Sequence, residues 1–139
     1  MKVNTKIRYG LRAMMEIATT SDENGVLQKD IAANQGISIK YLDSIIGSLK
    51  LKGLIINSKV RGGGYRLTRA AEQITMWDIY TAFETIDVVD CIKNEGYCDK
   101  SCTCMTRYYW DEFRSDFETM LKKKTLKQIV NNKHKDVIF

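Results

Sequence analysis

The sequence predicts a mainly α-helical protein with one small β-hairpin and a long helix near its C-terminus. Three observations support this fold class. Apolar residues recur at helical spacing in several stretches, a short β-branched stretch precedes a glycine run, and the 139 residues suffice for one core. Because no apolar run approaches the roughly 18 residues of a membrane span, and the first residues lack a secretory signal, we expect a cytoplasmic protein.

Two short helices joined by a glycine turn are predicted to follow a longer first helix. The first helix covers residues 4–20 and the second covers residues 28–34. Gly36 is expected to take a left-handed conformation in the turn, and Ser38 to cap a third helix that ends near Gly53. This third helix is predicted to bury Leu42, Ile45, Ile46 and Leu49. Such a pair of helices is typical of a helix-turn-helix.

The chain then changes to strand-like residues. Residues 54–60 are rich in β-branched side chains, glycines occupy positions 62–64, and a second short strand is predicted at residues 65–67. Strand, glycine turn and strand predict a β-hairpin. A helix-turn-helix followed directly by a basic hairpin is typical of a winged helix, in which one helix enters the major groove of DNA.

Three further elements are predicted after the hairpin. Thr75 and Asp78 have the spacing of a capping box at the start of a fourth helix. Its inner face is predicted to contain Met76, Ile79, Phe83 and Ile86. Residues 90–103 lack apolar periodicity and are predicted to form a loop. A long helix over residues 105–123 follows, Thr125 caps a last helix that ends at Val130, and the tail from Asn131 is expected to fray.

These elements suggest two domains: a winged helix-turn-helix DNA-binding domain (residues 1–75) and a region of cysteine loop and dimerisation helices (residues 76–139). The long helix carries an aromatic stripe larger than a small domain covers easily, so we expect a symmetric homodimer. A core helix packed within its own chain is the alternative. The stripe contains Tyr109, Phe113, Phe117, Met120 and Leu121, with Trp110 beside it.

Charge is distributed unevenly along the chain. Lysine and arginine exceed aspartate and glutamate by 22 to 17 overall. The balance is +6 over residues 1–75, −6 over residues 76–121 and +5 over residues 122–139. A basic N-terminal part favours a polyanion such as DNA, although an unevenly charged solvated surface is the alternative.

All four cysteines fall within fourteen residues, at Cys91, Cys98, Cys102 and Cys104. In a chain without an export signal, such a cluster is more typical of metal binding than of disulfides. The paired Cys-x-x-Cys motifs of structural zinc sites are absent, whereas three or four thiolates on one loop can hold an iron–sulfur cluster. A thiol-redox switch and a zinc site are the alternatives.

An enzyme such as a thiol oxidoreductase has little support from the sequence. No Cys-x-x-Cys motif opens a helix, and the one histidine, His134, lies within the last six positions. We therefore expect no enzymatic activity.

Five motifs in order along the chain resemble the Rrf2 family of bacterial winged-helix transcriptional regulators. This family includes IscR-like and NsrR-like members that bind iron–sulfur clusters, and clusterless CymR-like members. The resemblance covers roughly residues 4–130. Its motifs are TKIRYGLRA (residues 5–13), ISIKYL (37–42), RGGGYRL (61–67), ITMWDI (74–79) and the cysteine segment (residues 91–104).

The resemblance implies a homodimer that binds a palindromic DNA operator under the control of an iron–sulfur cluster, either 2Fe–2S or 4Fe–4S. Cys98 and Cys104 match the second and third cysteine ligands of the cluster-binding members. Cys91 lies one residue further out than the first ligand of the IscR-like members, and we expect it to be the first ligand here.

Four departures from the family pattern stand out. Arg107 occupies the position of the histidine ligand of IscR-like members, and Arg8 that of the aspartate ligand of NsrR-like members. Cys102 is an additional cysteine, and we expect it to be the fourth ligand or a redox partner. The wing is shorter and lacks the proline that usually follows Arg-Gly.

The predicted DNA contacts are outward-facing residues of the third helix and the wing. Lys40 is expected to contact guanine or phosphate. Asp43, where family members usually carry glutamate, is expected to accept from a cytosine amino group. Ser38 and Tyr41 are expected to contact phosphates, and Arg61 to enter the minor groove. The remaining predicted contacts are Ser44, Tyr65, Lys6, Arg8, Lys59 and Arg66. For each lysine, an ordinary solvated residue is the alternative.

Overall fold

The computed structural model describes residues 2–93, 96–100 and 102–132. Its helices are α1 (Thr5–Thr19), α2 (Gln28–Gln35), α3 (Ile39–Leu51), α4 (Met76–Thr81), α5 (Asp90–Lys93), α6 (Met105–Lys123) and α7 (Leu126–Asn131). Two strands, β1 (Ile55–Asn57) and β2 (Tyr65–Leu67), and a 3-10 turn (Ala71–Gln73) lie between α3 and α4. The predicted fold class, mainly α-helical with one hairpin, is confirmed.

The first three helices form the helix-turn-helix around an apolar core. Gly36 follows α2 with φ 64°, the left-handed conformation predicted for it, and its N–H donates to the Ala32 carbonyl. The Ser38 hydroxyl caps α3 by accepting a hydrogen bond from the Tyr41 N–H over 3.2 Å. The predicted inner face of α3 is buried, namely Leu42, Ile45, Ile46 and Leu49. The opposite face of α3 is left to solvent.

The two strands pair in antiparallel register, with Ile55 opposite Leu67. A bridge between Val26 and Tyr65 holds the hairpin against the segment that precedes α2. Gly64 lies at this contact, where a Cβ would stand 2.0 Å from the Val26 carbonyl oxygen. The base of the wing is therefore fixed to the helix-turn-helix by close backbone packing, whereas residues 59–62 at its tip are exposed.

Two capping boxes lie side by side after the wing. Thr75 and Asp78 cap α4, as predicted, while Thr125 and Gln128 cap α7. The two threonines pair in an antiparallel bridge, which we call the threonine clasp. Two backbone hydrogen bonds of 2.8 Å reinforce the clasp, from the Met76 N–H to the Lys124 carbonyl and from the Leu126 N–H to the Ile74 carbonyl. Through this clasp α7 joins the core formed by α1, α2 and α3.

The fourth helix is shorter than its apolar spacing predicts. α4 ends at Thr81, so that Phe83 and Ile86 lie beyond it. Phe83 still packs against the core, and its Cε2 atom would be only 2.3 Å from a Cβ placed on Gly10. The backbone leaves the helix at Ala82, and the apolar spacing continues through a stretch that is no longer helical.

The C-terminal half contains both a confirmed and a corrected prediction. α6 has the predicted bounds, whereas residues 90–103, predicted as a loop, begin with the four-residue helix α5. Across the described ranges, the helices are too short or too polar to cross a membrane. His134 and the predicted fraying tail from residue 133 onwards lie outside the described residues.

Candidate nucleic-acid interface and cysteine segment

The outward face of α3 carries the polar side chains that the sequence predicts as DNA contacts. Lys40, Asp43 and Ser44 are exposed on this face, and Ser38 is exposed at its N-terminus. The Ser44 hydroxyl donates to the Tyr41 carbonyl over 2.9 Å, which keeps it close to the helix. The burial of the opposite face decides this orientation, because apolar residues at helical spacing turn the remaining positions toward solvent.

The N-terminus of α3 is fastened to α1 by aromatic and polar contacts. The rings of Tyr41 and Tyr9 meet edge to face with centroids 5.8 Å apart. The Arg12 guanidinium lies 5.2 Å from the centroid of the Tyr9 ring and donates to Gln35 at the end of α2. Tyr41 is half-buried as a result, so its position relative to the helix is fixed before any ligand arrives.

A hydrogen-bonded chain joins α2, α3 and β2. Gln28 Nε2 donates to Asp43 Oδ1 over 2.5 Å, and the Tyr65 hydroxyl donates to Gln28 Oε1 over 3.2 Å. The Lys50 ammonium lies 4.9 Å from the centroid of the Tyr65 ring. Gln28 was not among the predicted contacts, because nothing in its local sequence indicates a partner fifteen residues away.

The wing presents its basic residues to solvent. Lys59 and Arg61 are exposed at the tip and Arg66 is exposed on β2. The tip is shaped by Gly62, whose φ of 74° lies in the left-handed region that favours glycine. Lys6 and Arg8 are also exposed, but they lie on α1, an element separate from α3 and the wing.

The four cysteines are free thiols that differ in exposure. Cys91 on α5, Cys98 and Cys104 are half-buried, and Cys102 is exposed. Within the parts of the chain that the structure describes, no three histidine, cysteine, aspartate or glutamate side chains converge as ligands of one metal ion. The structure thus places the thiols on one segment but does not gather them around a common point.

Cys104 stands at the N-cap position of α6, the helix that follows the cysteine segment. The Thr106 hydroxyl lies 3.1 Å from Cys104 Sγ. This hydrogen bond, followed by one from the Arg107 backbone, lowers the pKa of the Cys104 thiol below its ordinary value. A thiolate is the form of cysteine that binds metals and attacks disulfides. The donor set therefore suits soft metal chemistry as well as thiol exchange.

A helix-turn-helix with a polar outer face, flanked by a basic two-stranded wing, defines the winged-helix class of DNA-binding proteins. The profile of the Rrf2 family, described as an iron-dependent transcriptional regulator, matches residues 3–132. The chain therefore belongs to the Rrf2 family, whose members are DNA-binding transcriptional regulators.

Individual relatives are similar over nearly the whole chain. Protein rrf2 of Nitratidesulfovibrio vulgaris strain Hildenborough is 35% identical over 133 residues, which cover 95% of this chain and 89% of that protein. The structure of T. potens IscR superposes with a TM-score of 0.73 at 30% identity, covering 94% of this chain and 86% of that one. CymR, the global cysteine regulator of B. subtilis, superposes with a TM-score of 0.74 at 28% identity, and the match covers 94% of this chain and 96% of CymR.

Proposed function

We propose that this transcriptional regulator binds its operator under the control of an iron–sulfur cluster held by Cys91, Cys98 and Cys104, with Cys102 as fourth ligand. The observation that carries the proposal is the position of the thiols. All four are free, and all lie on the segment that leads into α6, in a chain whose family is described as iron-dependent.

The residues present fit the group by their donor chemistry. Cysteine thiolates are the usual ligands of iron–sulfur clusters, and the hydrogen bond with Thr106 lowers the pKa of the Cys104 thiol. Arg107 and Arg8, which stand at the fourth-ligand positions of related branches, carry guanidinium groups that are hydrogen-bond donors and have no lone pair to offer iron. Cys102 supplies the missing donor. When bound, the cluster would supply a redox-active centre, and its loss or oxidation would rearrange the residues that hold it.

The segment is mechanically connected to the DNA-reading head, by which we mean α1 to α4, the hairpin and α7. α6 packs on α4 through an edge-to-face contact between Phe117 and Tyr80, with ring centroids 5.9 Å apart. The Lys122 ammonium lies 5.0 Å from the centroid of the Trp77 ring on α4. A rearrangement of the cysteine segment at the start of α6 would therefore reach the head along this helix, through the contacts with α4 in its C-terminal half.

The functional unit that we propose is a homodimer on a palindromic operator. The aromatic stripe of α6 is divided: Phe117 and Leu121 pack within the chain, whereas Tyr109, Phe113 and Met120 remain 57%, 36% and 56% exposed. A second copy that covers the exposed part places two α3 helices on one duplex. In this proposal residues 1–75 contribute the contacts with DNA and residues 76–139 contribute the cysteines and the dimer surface, while α4 and α7 of the second part pack in the core of the DNA-reading head.

Anaerobic purification of the full chain tests the cluster directly. We expect a coloured protein with visible absorbance, iron and acid-labile sulfide. Cys98→Ala and Cys104→Ala are each expected to abolish all three and to change operator binding, whereas Thr103→Ala in the same segment preserves them. Loss of colour on Cys102→Ala would confirm it as fourth ligand. A wild-type protein isolated without iron or sulfide would refute the cluster.

A cluster-free thiol-redox regulator is the second candidate, favoured by the structural similarity to CymR. In this case two of the four thiols form a disulfide and give two electrons and two protons to an oxidant such as a peroxide. A colourless protein whose operator affinity changes with peroxide, and is restored by dithiothreitol, would support this candidate over the first. Mass spectrometry of the oxidised protein identifies the pair.

A further inference from the structure

The side chain of Gln28 is held by two hydrogen-bond partners, and one of them, the Asp43 carboxylate, determines the orientation of its amide. Its Nε2 faces Asp43 Oδ1 at 2.5 Å, and its Oε1 faces the Tyr65 hydroxyl at 3.2 Å. A carboxylate only accepts hydrogen bonds, so the amide nitrogen must face Asp43. Turning the amide over would set its oxygen against the carboxylate and lose the bond to Asp43, whereas the Tyr65 hydroxyl can accept from the amide nitrogen as well as donate to its oxygen. Gln28 therefore links the wing strand to the outer face of α3 in a defined geometry.

Asp43 is an exposed carboxylate on the face of α3 that meets DNA in a winged helix. Close to phosphates, a carboxylate is repelled unless it meets a hydrogen-bond donor. In the major groove the base edges that donate are the amino groups of cytosine and adenine. A tether on Oδ1 leaves Oδ2 free to accept from one such group. The tether also restricts the rotamers of Asp43 before DNA binds, so that less conformational entropy of this side chain is lost on binding.

We propose that Gln28 is a specificity-positioning residue, which orients Asp43 and thereby sets the preference for an amino-bearing base at one position of each operator half-site. The inference rests on the proposed reading of DNA by Asp43. Gln28 itself acts through Asp43, and the Tyr65 hydroxyl fixes Gln28 in turn. The wing strand thus contributes to base selection by α3 in addition to its own contact with the duplex.

Selection from a randomised duplex library tests this role. Full-length wild type, Gln28→Leu, Asp43→Ala and the double variant are compared at equal iron content. The Asp43-dependent position is the one whose base preference disappears in Asp43→Ala, and competition titrations then quantify the four base pairs there. Gln73→Leu, an exposed glutamine on the 3-10 turn, is the matched control and is expected to select the wild-type motif.

We expect Gln28→Leu to reduce the preference at that position by roughly three- to tenfold, with the other positions unchanged. The double variant should match Asp43→Ala, because Gln28 has no effect without its partner. Gln28→Glu keeps the size of the side chain but repels Asp43, and it should change the same position even if Gln28→Leu folds poorly.

Three results would overturn the role of Gln28. They are an unchanged wild-type preference in both Gln28 variants, a uniform loss of affinity for all sequences, and a motif that Asp43→Ala leaves unchanged. If the wild type enriches no motif at all, the proposed reading of an operator fails instead, so the two failures are distinguishable.

Discussion

The DNA-reading head and the cysteine arm, which we define as residues 84–123, bury their side chains to very different extents. The head encloses a continuous core that includes fully buried residues of α1, α2, α3, α4 and α7. Among the described residues of the arm, only Leu121 is buried, while Met105 and Tyr108 are 89% and 84% exposed. The head thus completes its packing within one chain, and the arm leaves apolar surface for a partner or ligand.

Truncating the core of the head is expected to have the largest effect. Leu49 on α3 is fully buried, so Leu49→Ala should lower the free energy of unfolding by about 2–5 kcal/mol. Leu51→Ala, two residues further along the same helix and 91% exposed in the wild type, should change it by less than about 0.5 kcal/mol. Urea unfolding followed by circular dichroism measures both. Equal effects would contradict the burial of α3.

Disrupting the arm should affect association and leave the head folded. Phe113→Asp places a charge in the exposed stripe of α6 and is expected to weaken the homodimer by about 2 kcal/mol, or roughly 30-fold. Ser115→Asp adds the same charge at another exposed position of α6 and should have little effect. Sedimentation equilibrium measures association, and the thermal midpoint checks the head. A monomeric wild type would remove the stripe as an interface.

Removing the arginine at the wing tip is expected to have a moderate effect on DNA affinity. Arg61→Ala should weaken operator binding by roughly 1–3 kcal/mol, since it deletes a proposed minor-groove contact. Lys127→Ala removes a positive charge from an exposed position on α7 and should change affinity much less. Gel-shift titrations with the selected operator measure both variants. An unchanged affinity for Arg61→Ala would exclude it from the contacts.

The smallest effect concerns the thiol at the start of α6. Thr106 stabilises the Cys104 thiolate and lowers the pKa of this thiol, so Thr106→Val should raise that pKa. Alkylation of Cys104 in cluster-free protein at neutral pH should therefore slow, and its rate profile should move to higher pH. Thr119→Val removes a hydroxyl that bonds to Ser115 instead, and serves as control. Peptide mapping by mass spectrometry gives the rates.

Features that depend on neighbours in sequence could be predicted. The caps at Ser38 and Thr75 involve partners three residues away, and the turn at Gly36 depends on its own backbone freedom. The bounds of α6 could be predicted at both ends, because many residues contribute to its long amphipathic pattern. Along the four-residue α5 no such pattern can accumulate, and it was therefore expected to be a loop.

Features that depend on distant partners could not be predicted. The link from Gln28 to Asp43 spans fifteen residues, and the edge-to-face pair of Tyr9 and Tyr41 joins two helices far apart in sequence. The hydrogen-bond partner of an exposed polar side chain leaves no periodic pattern in the sequence, so it cannot be predicted from the sequence alone. The exposed positions of the DNA-facing residues follow from the apolar pattern of α3 and the glycines of the wing, whereas their roles remain predictions.

The threonine clasp anchors the C-terminal end of α6. Thr125 follows this helix by two residues, whereas Cys104 lies at the opposite end of a rod about 28 Å long. A tilt of roughly 10° about the anchored end would carry the cysteine end about 5 Å. In the proposed homodimer, a wide displacement of the thiols would therefore accompany a small rotation of the helices joined at Thr75 and Thr125.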